Sequence, residues 1–514
     1  MPRVVTWAIP AFAVVVPFLF AAIILFFGNR LEKLREWAAV FATLFAFFLC
    51  FLMLPGSLKG IIYKCHVLHM TPRIWLHFRA DGLSLVFALT ASLLWVLATV
   101  FSLGYMKGEH ALTRYYGFLI LCLAWTMGIG FAGNLLTLFI FYELLSVSSY
   151  PIIAHEETPE ALAAGKKYII YVLVGGTFIL LGIVLTFYLA NSQTLVKTGI
   201  LSMKYGYNTL AILFATFVVG FGVKAAIMPL HGWVPDAHPA APAPASALLS
   251  GVLVCAGCYG IMRVIYNVFG PQLLRRLGFG TILAYVAAAT IVVASIIALD
   301  QDNLKRRLAY STIGQMSYIV LGAILLTPSS LIGGMVHIAN HGLMKATLFL
   351  CSGVIIKGVK KRNISQMQGI GYVLPITMAC FAIVSLGMMG CPPLAGFISK
   401  WMLCVGGFEA GKPIFVVVLL ISSLLCAAYL LPVVFTAFFA RPREEMEAFE
   451  EAHTKGEETH VEERRIQFET RSVPWTMLLP IFVGTLCVVI LGFGSMIHWL
   501  ALPLSKVAVK FLLK

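Results

Sequence analysis

The chain has 514 residues, of which 60% are hydrophobic and 11% charged, with a mean hydropathy of +0.93. Soluble domains are closer to half apolar and a quarter charged, and the apolar residues here come in runs of about 20, long enough to cross a bilayer as helices. A soluble globular protein is therefore excluded, and the formal net charge of +15 is read as lysine and arginine anchors at membrane interfaces, with no nucleic-acid partner.

Read in chain order, the sequence predicts an all-α polytopic membrane protein of about fourteen transmembrane helices. The first apolar run, 4–27, is too long for the core of a signal peptide and lacks a small-residue cleavage motif, so it reads as a span. Spans near 37–55 and 82–104 complete an N-terminal three-helix segment, 1–110, with Asp81 at the mouth of the third. Segment 111–270 holds spans near 115–132, 135–154, 168–190, 208–230 and 246–268. Segment 271–440 holds spans near 279–299, 308–326, 331–355, 374–398 and 413–440. The glutamate-rich stretch 441–473 reads as a solvated cytoplasmic loop, and 474–514 carries the last span, near 474–498. A membrane β-barrel would need short alternating strands instead. Loops after the odd-numbered spans carry more Lys and Arg than the opposite side, which predicts that both termini lie outside.

The 11 cysteines lie mostly in apolar runs and give no disulfide framework. The pair Cys255 and Cys258 has metal or redox spacing, yet no second pair is near, so it reads as two packed helix cysteines. No metal and no cofactor is expected.

Few ionisable residues fall within the spans: Glu143, Lys224, Arg263, Lys345 and Lys400. A charge at the centre of a membrane helix costs roughly 2.5–3.5 kcal/mol on the lenient insertion scale, so such residues are functional candidates by default. Arg263 is the exception, placed near a helix end from which it snorkels to the interface. Glu143 and Lys224 are expected to pair at membrane depth. Burial penalises the charged form of an amine, which suits Lys224 to carrying a proton rather than a fixed charge; a purely structural ion pair is the competing reading.

Pro229, five residues after Lys224, removes a backbone donor and breaks the helix, and such breaks are tolerated at membrane depth only inside protein or beside a water-filled cavity. Pro392 and Pro393 precede Lys400 in a parallel arrangement. Two broken helices in consecutive five-helix blocks predict two inverted repeats, because an odd number of spans reverses the topology of the second block. His337, His341 and Lys345 recur at steps of four and share one helical stripe, where imidazoles pass protons; histidines bonding neighbouring helices are the alternative. His231, Asp236 and His238, in the alanine- and proline-rich loop 230–246, line a water inlet or belong to a rigid interfacial loop.

The stretch "KAAIMPLHGWVPDAHPAAPAPASALLSGVL" resembles the signature of the antiporter-like subunits shared by respiratory complex I, Mrp-type Na⁺/H⁺ antiporters and energy-converting membrane hydrogenases. "DNLKRRLAYSTIGQMSYIVLG", "NHGLMKATLFL", "KRNISQMQGI" and "PPLAGFISKW" are similar to further blocks of that family, in order, over roughly residues 80–440. The resemblance implies a hydrophilic axis along the membrane midplane, with Glu143 and Lys224 as the acid–lysine pair. Lys345 and Lys400 correspond to the lysines of the second half, and His337 and His341 to its histidines. One departure stands out: where the family usually carries a lysine after "SGVLV", linking the two halves, this chain has Cys255. A thiol is a poor substitute for an amine in proton transfer, which places an interruption or a water-bridged gap there.

The short segment after the last span leaves no room for the long lateral helix of the complex I L-type subunit, so the Mrp D-type subunit and its hydrogenase counterparts are the nearest match. The function expected is movement of protons, or of Na⁺, within a multisubunit complex in a prokaryotic plasma membrane. Redox chemistry would belong to partner subunits, since no nucleotide, haem, flavin or iron–sulfur motif is evident. A membrane scaffold with a vestigial path and a stand-alone solute carrier are the alternatives.

Overall fold

The computed structural model describes residues 3–71, 74–196, 199–440, 469, 472–496 and 501–513. Of the stretch read as a solvated loop, nearly all lies outside the described residues. Among the described residues, 12 helices are long and apolar enough to cross a membrane. Two segments expected as spans fall outside that number. Leu304–Ile324 is helical, but its first turn carries Lys305, Arg306 and Arg307. The span expected near 374–398 divides into the shorter helices Pro375–Met389 and Ala395–Glu409. The expected count of about fourteen is thus not reached by length and apolarity alone.

Helix starts follow local chemistry. Asp81 accepts the backbone N–H of Ser84 at 3.0 Å and opens Gly82–Tyr105. Asn134 accepts that of Thr137 at 2.7 Å and opens Leu135–Ile153. Thr158 caps Pro159–Ala190, and Thr327 forms a capping box with Ser330 at the head of Pro328–Val359. Each side-chain oxygen takes up a donor the first turn leaves unpaired.

The amino terminus differs from the expected single span. Val4–Thr6 forms strand β1, and the helix begins only at Ile9. Strand β1 pairs in parallel with β2, Ile62–Thr71, which pairs antiparallel with β3, Ile74–Ala80. The helical membrane bundle expected from the sequence stands, with one small three-stranded sheet beside it. The apolar run hid the strand because Val4 and Val5 serve β structure as well as a span.

The helix Ala243–Phe269 runs through the interior, its apolar window wholly buried. Outer helices turn Phe12, Phe18, Phe41, Phe48, Leu181 and Leu424 outward, as a lipid-facing surface does. Small residues bring neighbours close: a Cβ at Gly175 would lie 2.9 Å from the Gly220 carbonyl, so Pro159–Ala190 and Tyr207–Lys224 pack backbone to backbone.

Both expected helix breaks are present. Tyr207–Lys224 stops at Lys224, and the chain is irregular through a left-handed Ala226 (φ 57°) until the next helix, Val234–Ala240. The second break lies between Met389 and Ala395, where Gly390 adopts φ 93°. A Cβ at Gly390 would also stand 2.9 Å from Lys400 Cδ, so both conformation and space call for glycine there.

Candidate functional site

The breaks decide where the two lysines sit. Lys224 is the last residue of its helix, 1% exposed. Lys400 Nζ donates to the carbonyls of Met388 (2.8 Å) and Met389 (3.0 Å) and to Ser423 Oγ (3.0 Å). Those two carbonyls belong to the last turn of Pro375–Met389, where no intrahelical donor remains. The Lys400 ammonium therefore occupies the negative end of a helix dipole, which favours a cation without committing a carboxylate to it.

The first half does not form the direct acid–lysine pair expected. Lys224 Nζ donates to Ser146 Oγ at 2.7 Å and to the Tyr142 carbonyl at 3.4 Å, and lies 4.0 Å from the centre of the Tyr142 ring. Glu143 makes no ion pair with Lys224 among the described residues, and its buried Oε1 has no hydrogen-bond partner among them. The carboxylate fits against the bare backbone of Gly176, where an added Cβ would approach Oε1 to 2.3 Å. Ser146, one turn after Glu143 on the same helix, takes the place of the carboxylate as the partner of Lys224. Ser149 continues the polar face with a 2.6 Å bond to the Tyr168 hydroxyl.

In the second half, the expected stripe is in register and wholly buried. His337 Nδ1 pairs with Ser399 Oγ at 2.9 Å and Nε2 with Gln315 Oε1 at 3.0 Å. Its ring lies 5.3 Å from Tyr318 and 5.8 Å from His341. Lys345 Nζ donates to the Leu308 carbonyl at 3.1 Å. The Tyr318 ring also faces Lys400 Nζ at 5.5 Å, so one aromatic ring joins the His337 and Lys400 groups. Lys224, Lys345 and Lys400 have no ion pair within 4.0 Å among the described residues.

Cys255 is not brought into this polar line. Its thiol donates to the Gly251 carbonyl one turn back at 3.3 Å and touches Met316 Sδ at 3.6 Å, and Cys258 packs on the same methionine. A buried side-chain contact between the halves lies earlier on the same helix, where Ser250 Oγ and Thr312 Oγ1 are 2.6 Å apart. A small, largely apolar cavity of about 10 Å³ lies against the neighbouring face of this helix, lined by Trp95, Leu119, Cys122, Ser149, Leu248 and Leu249 among others. Within the same helix, Leu249–Leu253 winds as a π-helix, a distortion common at functional sites.

Arg263 overturns its expected placement. It does not reach an interface: it is 1% exposed and clamps Asp81 through two bonds, of 2.8 and 2.9 Å. Tyr259, Asn267 and Ser84 satisfy its remaining donors. This is an internal lock between the N-terminal segment and the central helix.

Lys305 was missed by reading the sequence. It falls between the spans expected near 279–299 and 308–326, yet it is 7% exposed and donates to the Ala241 carbonyl at 2.8 Å. The usable signal was Asn303, whose side chain caps the helix by accepting the Arg306 N–H at 3.1 Å and so draws Lys305 into the first turn. In the alanine- and proline-rich loop, Asp236 is partly exposed and bound by Lys167 at 2.7 Å and Arg306 at 3.8 Å, whereas His238 is fully buried. Among the described residues no group of three metal-binding side chains converges.

With that geometry in place, likeness to known proteins can be read. Residues 132–426 match the family described as NADH:quinone oxidoreductase/Mrp antiporter, TM, and residues 71–116 match the N-terminus of complex I chain 5. The chain is 33% identical over 401 residues to NADH-quinone oxidoreductase subunit N of Desulforudis audaxviator, covering 77% of each. It is 30% identical over 461 residues to Hydrogenase-4 component B of Escherichia coli, covering 85% of this chain and 65% of that one. Its fold matches a chain of the Mrp complex from Dietzia sp. with a TM-score of 0.85, at 22% identity, over 99% of this chain and 97% of the other. It likewise matches a chain of the membrane-bound sulfane sulfur reductase, an archaeal respiratory membrane complex, with a TM-score of 0.86, at 22% identity, over 99% and 98%. The chain is a polytopic integral membrane protein and belongs to the NADH:quinone oxidoreductase/Mrp antiporter transmembrane family.

Proposed function

We propose that this chain is the antiporter-like, proton-translocating subunit of a multisubunit membrane complex. In this reading Glu143, Lys224, Ser146, Lys345, His337, His341 and Lys400 carry the path. Ser250 and Thr312, rather than Cys255, join its halves. The observation that carries the reading is the placement of Lys224 and Lys400, each buried at the end of a broken helix and held by hydroxyls and carbonyls. Neutral acceptors stabilise an ammonium while leaving it free to lose its proton when a nearby charge changes; a permanent ion pair would fix it. Glu143, buried with one oxygen unpartnered, is read as the acid whose protonation controls Lys224.

The relatives and structural neighbours are subunits of oxidoreductase, hydrogenase and Mrp complexes, which supports other membrane subunits as partners. Energy for translocation would come from them. The transported ion is read as H⁺ because the path is made of groups that gain and lose protons and holds few carboxylates to coordinate Na⁺. The setting is read as a prokaryotic plasma membrane, with both termini outside. A scaffold role is disfavoured, because apolar replacements would serve packing at lower cost than three unpaired buried lysines.

Sealed vesicles containing the intact complex test this. Lys224→Met and Lys400→Met should each abolish proton uptake, read with a pH-sensitive dye, while the complex still assembles on a native gel. Wild-type uptake in both would rule the path out.

A further inference from the structure

Glu469 falls in the glutamate-rich stretch read as a solvated loop, yet it is fully buried. Its carboxylate accepts the backbone N–H groups of Ile376 at 2.7 Å and Thr377 at 3.0 Å, and the Thr377 hydroxyl at 2.6 Å. The two N–H groups are first-turn donors of Pro375–Met389, which no intrahelical carbonyl can satisfy, and Leu374 at the head of that helix offers no side-chain cap. A serine or aspartate at position 374 would cap the helix from within. A carboxylate brought from 93 residues away also ties the helix to the segment that leads into the last span, Trp475–Met496.

The same span holds the other end of that helix. The Val473 N–H donates to the Glu469 carbonyl at 2.9 Å, a helical turn that carries the chain toward the span. Farther along, a Cβ at Gly492 would run into the Pro393 carbonyl and lie 2.7 Å from Leu394 Cα, and a Cβ at Gly387 would stand 3.2 Å from Val488 Cγ1. Pro375–Met389 is therefore bracketed, at its first turn by Glu469 and at its last by Val488 and Gly492. Its 15 residues extend about 22 Å. At the far end the carbonyls of Met388 and Met389 accept Lys400 Nζ at 2.8 and 3.0 Å. Carboxylate and ammonium thus take opposite ends of one helix, each at the end whose dipole favours it.

Building on the proton-translocating reading above, we propose that Glu469 is a positioning residue for Lys400. By fixing the first turn of Pro375–Met389 to the segment entering the last span, it holds the Met388 and Met389 carbonyls where they receive the ammonium. Glu469 itself carries no proton along the path. A helix this short moves as a unit, so a shift allowed at its first turn reappears at its last. Among the described residues no carboxylate pairs with Lys400 and no cation with Glu469 within 4.0 Å. Each charge therefore depends on its end of the helix, helped by Ser423 and Thr377 respectively. The other ionisable groups near Lys400 are His337, Tyr318 and the thiols of Cys391, Cys404 and Cys426, and those near Glu469 are the thiols of Cys351 and Cys380.

The test uses the intact complex in sealed vesicles, with proton uptake driven by a potassium diffusion potential and followed across a range of pH. Glu469→Gln keeps the shape of the side chain and removes the charge that the helix N-terminus attracts. Uptake at neutral pH should fall about 100-fold, the scale of a misplacement of about 1 Å. The alkaline limb of the pH profile should also move to lower pH, because an ammonium with fewer acceptors gives up its proton sooner. Lower uptake with an unchanged pH profile would mean fewer folded complexes and would overturn the positioning role. Lys400→Met in parallel separates the two claims. If it blocks uptake while Glu469→Gln transports normally, the positioning role is refuted and the path stands. If Lys400→Met transports normally, the path fails and the positioning role with it. Should Glu469→Gln fail to assemble, Thr377→Val decides, since it removes only the 2.6 Å bond: a smaller shift of the same sign supports the role, and a wild-type profile overturns it.

Discussion

The Asp81–Arg263 lock offers a clean perturbation. Asp81→Asn removes one charge and almost nothing else, because asparagine caps a helix as well as aspartate does and can keep the Ser84 N–H bond now 3.0 Å long. What is lost is the two-pronged contact to Arg263, at 2.8 and 2.9 Å, between side chains 5% and 1% exposed, together with the 3.6 Å ion pair to buried Arg79. The guanidinium then stays buried with only neutral partners in Tyr259, Asn267 and Ser84. Leaving one charge of a buried pair unmatched costs about 3–5 kcal/mol. The thermal midpoint of the detergent-solubilised complex, followed by size-exclusion chromatography after heating, should therefore drop clearly for Asp81→Asn. Adding Arg263→Met removes one of the two stranded charges and should recover part of the loss, since Arg79 still lacks its carboxylate, giving a measurable coupling in the double-mutant cycle. A midpoint equal to wild type for Asp81→Asn, or a double variant no better than the single, would refute the lock.

Three further outcomes follow from the site. Gly176→Val should push the Glu143 carboxylate from its seat, since even a Cβ would meet Oε1 at 2.3 Å; overpacking of this kind costs about 1–3 kcal/mol, and vesicle proton uptake should fall toward that of a Glu143 variant. Cys255→Ala should leave uptake unchanged, because the thiol meets only Met316 and its own helix. By contrast, Ser250→Ala combined with Thr312→Val removes the 2.6 Å contact between the halves and should slow uptake; equal rates in these two variants would disprove the proposed crossing point.

Much of this architecture was legible in the sequence because membrane helices declare themselves by long apolar runs with few charges, and because Pro229 and the prolines before Lys400 mark helix breaks. The positions of Lys224, Lys345, Lys400 and the two stripe histidines followed from that counting. What counting along one helix cannot supply is the chemistry across from it. Arg263 looked like an interfacial anchor because Asp81, its partner, is 182 residues away. Glu143 and Lys224 looked like a direct pair because nothing along the helix marks Ser146 as the side chain that binds Lys224. Cys255 was placed on the axis by resemblance, whereas a contact between the halves falls earlier on the same helix at Ser250, where a π-helical turn shifts the helix phase. Lys305 was hidden by its basic neighbours, which resemble an interfacial loop until Asn303 is recognised as a helix cap.

The central claim is that a protonatable acid beside Lys224 drives translocation, and Glu143→Gln tests it most directly. The substitution keeps size and hydrogen-bonding capacity while removing the acid whose protonation is read as controlling Lys224. Measured as proton uptake by vesicles holding fully assembled complex, transport should be lost with Glu143→Gln and partly kept with Glu143→Asp. Uptake at the wild-type rate in an assembled Glu143→Gln complex would contradict it.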